Sequence, residues 1–293
     1  MVRASELQDF RTAITSVYPE LSAAQFELRE TGWDSIAVEV DDQLIFKFPR
    51  HEAAEKALER EASLLRVIRP AVTMRVPELS LHRGPPLFSR HVKIEGEHLI
   101  TDVYVELSEA DRERLASDLA LFYAELHALD AEKMKSAGAG PIRRWVRPDE
   151  MLRRAWPVVP LEYRAEIERT VTSWRELPPD PHGETYGFFD GHGWNMAFDC
   201  TASKLNGIYD FGDSGFGPLH QEFIYSNFIS RDLTTRICRA YERLTSRDLD
   251  PERIELMSTM LRISELAELG DDPRHGKDML GYLLSWLESR HSA

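Results

Sequence analysis

With 293 residues, 42% hydrophobic and 29% charged, the chain has material for a sizeable core, arranged as one large domain or as two lobes. A net charge of −14 argues against polyanionic partners such as DNA or RNA and favours a cationic ligand wherever carboxylates converge on a cleft. Charges break every apolar run short of the roughly 18 residues of a membrane span, and the start MVRASELQDFRTAI lacks a signal-peptide core, so a cytoplasmic, membrane-free monomer is expected.

Residues 4–16 read as a short helix, with Phe10, Ile14 and Tyr18 on one face. Strands follow at 25–30, 35–40 and 43–48, and Asp41-Asp42 suits a tight hairpin turn between the second and third. Glu52–Ile68 is a helix stopped by Pro70. Two more strands, 76–81 and 86–92, are separated by Arg83-Gly84-Pro85. Residues 1–92 are therefore expected to form a five-stranded sheet with one helix packed on it.

From Gly96 onward the texture turns helical, and 93–293 read as a second, larger unit. Ser108-Glu-Ala-Asp111 starts a long amphipathic helix of the capping-box kind, marked by Leu115, Leu119, Phe122 and Leu126. Residues 130–147 read as a polar connector, 148–156 and 161–176 as helices, and 219–229, 233–244, 251–269 and 275–290 as helices again. Cys200 and Cys238 are too few for a disulfide framework or a zinc site and read as inert thiols.

Glu61 lies among Ala57, Leu58, Leu64 and Leu65 at spacings of three and four, which sets a carboxylate in an apolar stripe. A buried charge needs a cation, and Lys47, inside the apolar strand Leu44–Phe48, is the candidate. The alternative is that Glu61 sits at the stripe's solvent edge while Lys47 snorkels; periodicity alone leaves both open. Arg60 reads as a solvated helix-face charge. In Glu30-Thr-Gly32-Trp-Asp-Ser35, Gly32 permits an unusual backbone, and Ser35 or nearby amides could contact a phosphate; a plain hairpin turn is the simpler reading.

The most informative stretch is 186–218. Phosphoryl transfer needs a carboxylate beside the acceptor hydroxyl and hard oxygen ligands for Mg²⁺. Asp190 and Asn195 stand five apart on a glycine-containing loop, and Asp210 opens Asp-Phe-Gly-Asp after the next apolar run. The loop Gly212-Asp-Ser214-Gly also matches the surroundings of a serine-protease nucleophile, but that chemistry needs a histidine, a buried aspartate and an all-β double barrel, which the long helices contradict.

Together these features resemble the aminoglycoside phosphotransferase family, the antibiotic kinases related to protein kinases and choline kinase. The resemblance runs nearly the whole length: Gly32-Trp-Asp-Ser35, Ile45-Phe-Lys47-Phe-Pro49, Arg60-Glu61, Phe122-Tyr-Ala-Glu-Leu-His127, Asp190 with Asn195, and Asp210-Phe-Gly-Asp213. It implies an α+β, bilobal protein-kinase-like fold and a small-molecule kinase using Mg²⁺ with ATP or GTP. Lys47 would contact the nucleotide phosphates and pair with Glu61. Asp190 would serve as catalytic base, Asn195 and Asp210 would hold Mg²⁺, and backbone groups of Arg90, His91 and Val92 would meet the purine. The family usually carries His-Gly directly before the aspartate, whereas this chain has Phe188-Phe189; His192 is either a substitute support or an ordinary loop histidine.

For the acceptor, a small and amine-bearing alcohol, the candidates are Asp213, Glu222, Asp232, Glu265 and Glu268, with Tyr282 and Trp286 as an aromatic wall. Glu222 has a second reading, since an acidic residue near this position braces the catalytic loop in the family. A kinase-fold binding protein without turnover is the alternative function.

Overall fold

The structure, a computed structural model, describes residues 2–29 and 34–290. It is an α+β, protein-kinase-like fold. Helix α1 (Val2–Val17) precedes an antiparallel sheet of β1 (Phe26–Arg29), β2 (Ser35–Val40), β3 (Leu44–Pro49), β4 (Ser80–His82) and β5 (Phe88–Val92), with α2 (Glu52–Ile68) between β3 and β4. The strands lie in the order β1-β2-β3-β5-β4. Asp41 and Asp42 both adopt positive φ, 52° and 56°, as the tight hairpin between β2 and β3 requires. Of the 30–35 connection, read as a hairpin turn or a phosphate loop, residues 30–33 lie outside the described residues.

Strand alternation gives the sheet two different faces. Val38, Val40, Phe46, Phe48 and Phe88 form one core with Ile14 of α1. The opposite face carries Ala37, Lys47 and Ser89 in one cross-strand row and Glu39, Ile45 and His91 in the next. β4 is shorter than the 76–81 run because Pro77 has no N–H for a ladder. It pairs with β5 only as far as Arg90, so the β4-side edge of His91 and Val92 carries no strand.

The remainder is α3 (Thr101–Val105), α4 (Glu109–His127), α5 (Ala131–Ser136), α6 (Pro148–Ala155), α7 (Leu161–Glu176), β6 (Glu184–Gly187), β7 (Met196–Asp199), β8 (Lys204–Ile208), β9 (Gly215–Pro218), α8 (Arg231–Thr245), α9 (Pro251–Leu269) and α10 (Gly276–Arg290). Ser108 caps α4 by accepting from the Asp111 amide at 3.2 Å. The 130–147 connector contains α5, started by Asp130 Oδ1 on the Lys133 amide at 2.8 Å. The helix expected at 219–229 is instead a long 3₁₀ coil, Leu219–Phe228, a tighter winding than is usual over such a length; it buries Leu219 through Ile224 without a break.

Two apolar centres organise this part. α6, α7, α9 and α10 enclose Met151, Ile167, Met260, Leu283 and Trp286. The larger centre joins α4 and α8 to Phe188, Phe198, Phe211 and Phe223. Leu64, Leu65 and Ile68 of α2 also belong to it, so the helix inserted in the sheet packs into the helical lobe.

Two strand pairs bring the chemistry-bearing loops together. β6 pairs with β9, Gly187 opposite Gly215, and β7 pairs with β8, Met196 opposite Ile208. The segments 188–195 and 209–214 both cross from one pair to the other, so topology alone makes them neighbours. The Tyr209 amide donates to the Asn195 carbonyl at 3.0 Å, which ties them.

Candidate active site

Lys47 reaches out of the β3 row toward both carboxylates. Its Nζ lies 3.0 Å from Asp210 Oδ1 and 3.7 Å from Glu61 Oε1. Glu61 is buried in the apolar stripe of α2, which decides between the two sequence readings. Its Oε1 also accepts the Phe211 amide at 3.0 Å. Burial disfavours the Lys47 ammonium, but Asp210 and Glu61 outweigh it and hold the lysine above its ordinary range. The charge of Lys47 in turn lowers the Asp210 carboxyl, which stays ionised. Arg60 is not a solvated charge: its guanidinium donates to the Gly212 carbonyl. Adjacent residues of α2 therefore grip the Asp210–Asp213 turn by its main chain.

The catalytic-loop candidate is held from two sides. Asn195 Nδ2 donates to Asp190 Oδ2 at 2.6 Å and to the Asp190 carbonyl at 3.1 Å. His192 Nε2 lies 3.1 Å from Asp190 Oδ1, so His192 is no idle loop histidine. Burial works against its imidazolium, yet the hydrogen bond and charge of Asp190 raise it above the ordinary histidine value. Gly193 is required by close approach, since a Cβ there would stand 1.7 Å from the Leu99 carbonyl oxygen.

Glu222 is not a pocket wall. It is fully buried, and its two oxygens accept the amides of Phe188 and Phe189 at 2.8 Å each. His127, the last residue of α4, stands behind it with Nε2 at 3.2 Å and Nδ1 2.8 Å from Tyr241 Oη. Phe189 adopts φ 54°, a left-handed backbone ordinarily left to glycine. The brace and this turn fix the backbone directly before Asp190.

The donor set fits Mg²⁺. Asn195 donates through its amide nitrogen to Asp190, which leaves Oδ1 free for a hard cation, and Asp210 offers an ionised, half-exposed carboxylate. Among the described residues no three His, Cys, Asp or Glu side chains cluster as a metal cage, consistent with an ion that takes one or two protein ligands and completes its shell with phosphate oxygens and water.

On the nucleotide side, Ser35 opens β2 opposite Pro49. Arg90 lays its guanidinium 4.9 Å from the Tyr18 ring centre, on the α1 face, so only its main chain remains available; the Val92 side chain is exposed. His91 points the other way, into the row beside Lys47. Its Nδ1, like Ser89 Oγ, is buried without a partner among the described residues. Burial, helped by the charge of Lys47, lowers His91 to about 3 and keeps it neutral.

The acceptor candidates divide. Asp213 stays exposed, and desolvation with the charges of Asp190 and Asp210 pushes its carboxyl up to about 6. Glu265 is paired with Arg262 at 3.0 Å, and Glu268 with Arg143 at 2.6 Å. Arg262 lies 3.6 Å from the Phe228 ring centre and 5.4 Å from that of Tyr282, which is exposed. Arg143 does not stand out in the sequence, because it meets Glu268 across separate elements, whereas Arg262 stands three residues from Glu265 on α9, a spacing that could have flagged the pair. Besides Glu222, two expectations fail. Asp232 is bonded to Tyr104 Oη at 2.6 Å and Arg236 Nε at 2.9 Å within an ion-pair network reaching α4. Trp286 is buried, with its indole N–H donating to Thr259 Oγ1 at 2.9 Å, and forms core rather than wall.

A model of the phosphotransferase enzyme family matches residues 25–256. Among solved structures, the GDP complex of a point variant of aminoglycoside 2′-phosphotransferase-IIIa superposes with a TM-score of 0.86 at 20% identity, covering 97% of this chain and 98% of that one. The ADP-bound aminoglycoside phosphotransferase APH(2″)-Ib gives 0.63 at 18% identity, over 89% and 92%. The macrolide 2′-phosphotransferase MphH from Brachybacterium faecium gives 0.63 at 15% identity, over 88% and 92%. At these identities the structural likeness establishes the fold.

Proposed function

Because the chain belongs to the phosphotransferase enzyme family, we propose that it moves the γ-phosphate of a magnesium-bound nucleotide, ATP or GTP, to a hydroxyl of a small molecule. One observation carries the reading: Lys47, Glu61, Asp190, Asn195 and Asp210, spread over 164 positions of sequence, are brought together by direct contacts among two neighbouring loops, helix α2 and one sheet face. Lys47, oriented by Glu61, binds the nucleotide phosphates. Asn195 Oδ1 and Asp210 would hold Mg²⁺, which when bound would supply charge neutralisation for the transferring phosphoryl group. Asp190, fixed by Asn195 and His192, takes the acceptor's hydroxyl proton. Most of the rate enhancement then comes from positioning.

We place the lobe boundary at Val92, with 1–92 binding nucleotide and 93–293 carrying catalysis and acceptor. The acceptor pocket lies beside Asp213, Glu265, Glu268 and Tyr282. Its carboxylates are partly paired with resident arginines, so an acceptor with few amines suits it as well as an aminoglycoside-like one. A cytoplasmic monomer is the working assumption; among the described residues no helix is long and apolar enough to cross a membrane. The test is labelled-phosphate transfer from ATP and GTP to a panel of aminoglycosides, macrolides, amino alcohols and sugars. Asp190→Ala should abolish transfer, at least a 10²-fold loss for a general base, with Mg-nucleotide binding retained. Full transfer by that variant would remove Asp190 from the mechanism.

A further inference from the structure

The proposed acceptor pocket is acidic in sequence but largely neutral in space. Arg262 Nη1 donates to Glu265 Oε2 at 3.0 Å, and Arg143 Nη2 to Glu268 Oε2 at 2.6 Å. Arg262 is a fixed cation. Its side chain is mostly buried, and its guanidinium stands 3.6 Å from the Phe228 ring centre, which holds it against displacement by an arriving amine. Its Nε is buried without a partner among the described residues, a donor that calls for an oxygen and repels an ammonium. Both pairs lie within electrostatic reach of the transfer centre. The charge of His192, which touches Asp190, acts on Glu265. The charge of Arg143 acts on Asp213, which also feels Asp190 and Asp210. Of the three pocket carboxylates, Asp213 alone has no cation bonded to it among the described residues; with its carboxyl at about 6, it is ionised at neutral pH.

We infer that Arg143 and Arg262 set the acceptor specificity: by occupying two of the pocket's carboxylates they exclude polyamines, and the acceptor is a hydroxylated compound with at most one amine, for which Asp213 is the partner. A second ammonium would have to leave water for a carboxylate already neutralised, with a guanidinium as its neighbour. The repulsive element, not a missing attraction, does the excluding. The inference rests on the phosphoryl transfer proposed above and narrows the acceptor which that reading leaves open.

The experiment is calorimetric titration of the whole protein with kanamycin, a polyamine, at pH 7.5 and low ionic strength, after saturation with whichever of Mg-ADP and Mg-GDP binds. The double variant Arg143→Ser, Arg262→Met should bind kanamycin at least about tenfold more tightly than wild type, and about 0.5 M salt should remove the gain. Arg143→Ser alone, at an exposed position, should give about threefold. Arg69→Ser breaks the Arg69–Glu78 pair of the sheet unit and subtracts the same charge away from the pocket; it should leave kanamycin affinity within about twofold. Equal affinity in wild type and double variant, an equal gain from Arg69→Ser, or wild-type phosphate transfer to kanamycin as fast as to any single-amine acceptor would overturn the role of the arginines, while nucleotide binding keeps the kinase reading intact. Failure to bind either Mg-nucleotide would overturn both. Should Arg262→Met not fold, Arg143→Ser measured against Arg69→Ser decides.

Discussion

At the scale of single residues, two side chains in unfavourable settings make measurable claims. His91 titrates near 3 when folded, against about 6.5 in an unfolded chain. Between those values the unfolded chain binds the extra proton, so the stabilisation is fully present above pH 6.5 and is lost as the pH falls, by at most about 1.4 kcal/mol per pH unit. Urea unfolding at pH 7 and pH 5 should show wild type losing about 1–2 kcal/mol more than His91→Leu; parallel losses would mean that His91 is protonated in the folded protein. Phe189 holds φ 54° with its ring buried, and a left-handed residue with a Cβ costs roughly 1–2 kcal/mol. Phe189→Ala and Phe189→Gly remove the same packing, but only glycine relieves the backbone. The glycine variant should therefore be the more stable by about 1 kcal/mol, the reverse of the usual order; thermal melts of the pair decide it. Lys47, Glu61, Asp190, Asn195 and Asp210 are legible in the sequence because their chemistry forces unusual types into unusual positions, a charge in an apolar stripe or an amide after an aspartate. Arg143 and the ring contacts of Arg262 are not, because Glu268, Phe228 and Tyr282 lie on other elements, and the burial of His91 follows from the packing of the sheet rather than from its neighbours in sequence.

At the scale of elements, the loop that carries Asp190 is supported by a relay that crosses the chain: Tyr241 of α8, His127 closing α4, Glu222 on the 3₁₀ coil, then the amides before Asp190. Glu222→Ala strands two buried amides, each costing about 1–3 kcal/mol, so the variant should lose roughly 2–5 kcal/mol in denaturant titration. Transfer should collapse with it, while Mg-nucleotide affinity, set mainly from the sheet side, should change less than about fivefold. A stable, active variant would show the brace to be dispensable. Most element types and bounds follow from apolar period and capping: α2 and α9 match to the residue, and the Asp41-Asp42 turn follows from its two short acidic residues. The pairing of β6 with β9 does not, because four-residue strands separated by 27 positions carry no pattern longer than chance. The coil at 219–228 also escapes prediction, since unbroken burial erases the helical stripe.

At the scale of the whole molecule, sequence order suggests two units meeting at Val92, and packing modifies this. Leu64, Leu65 and Ile68 of α2 lie in the helical lobe's core while Glu61 holds Lys47 of the sheet. The protein should therefore unfold in a single calorimetric transition, and Mg-nucleotide at about 100 times its Kd should raise stability by about 2.7 kcal/mol without splitting that transition. Two resolved transitions would mean that the sheet unit melts alone. The sharing of α2 also ties the chemistry to the core: the helix that carries Glu61 is anchored by Leu64, Leu65 and Ile68 among the aromatic side chains of the helical lobe, so the partner of Lys47 is positioned by the far body and not by the sheet that Lys47 belongs to.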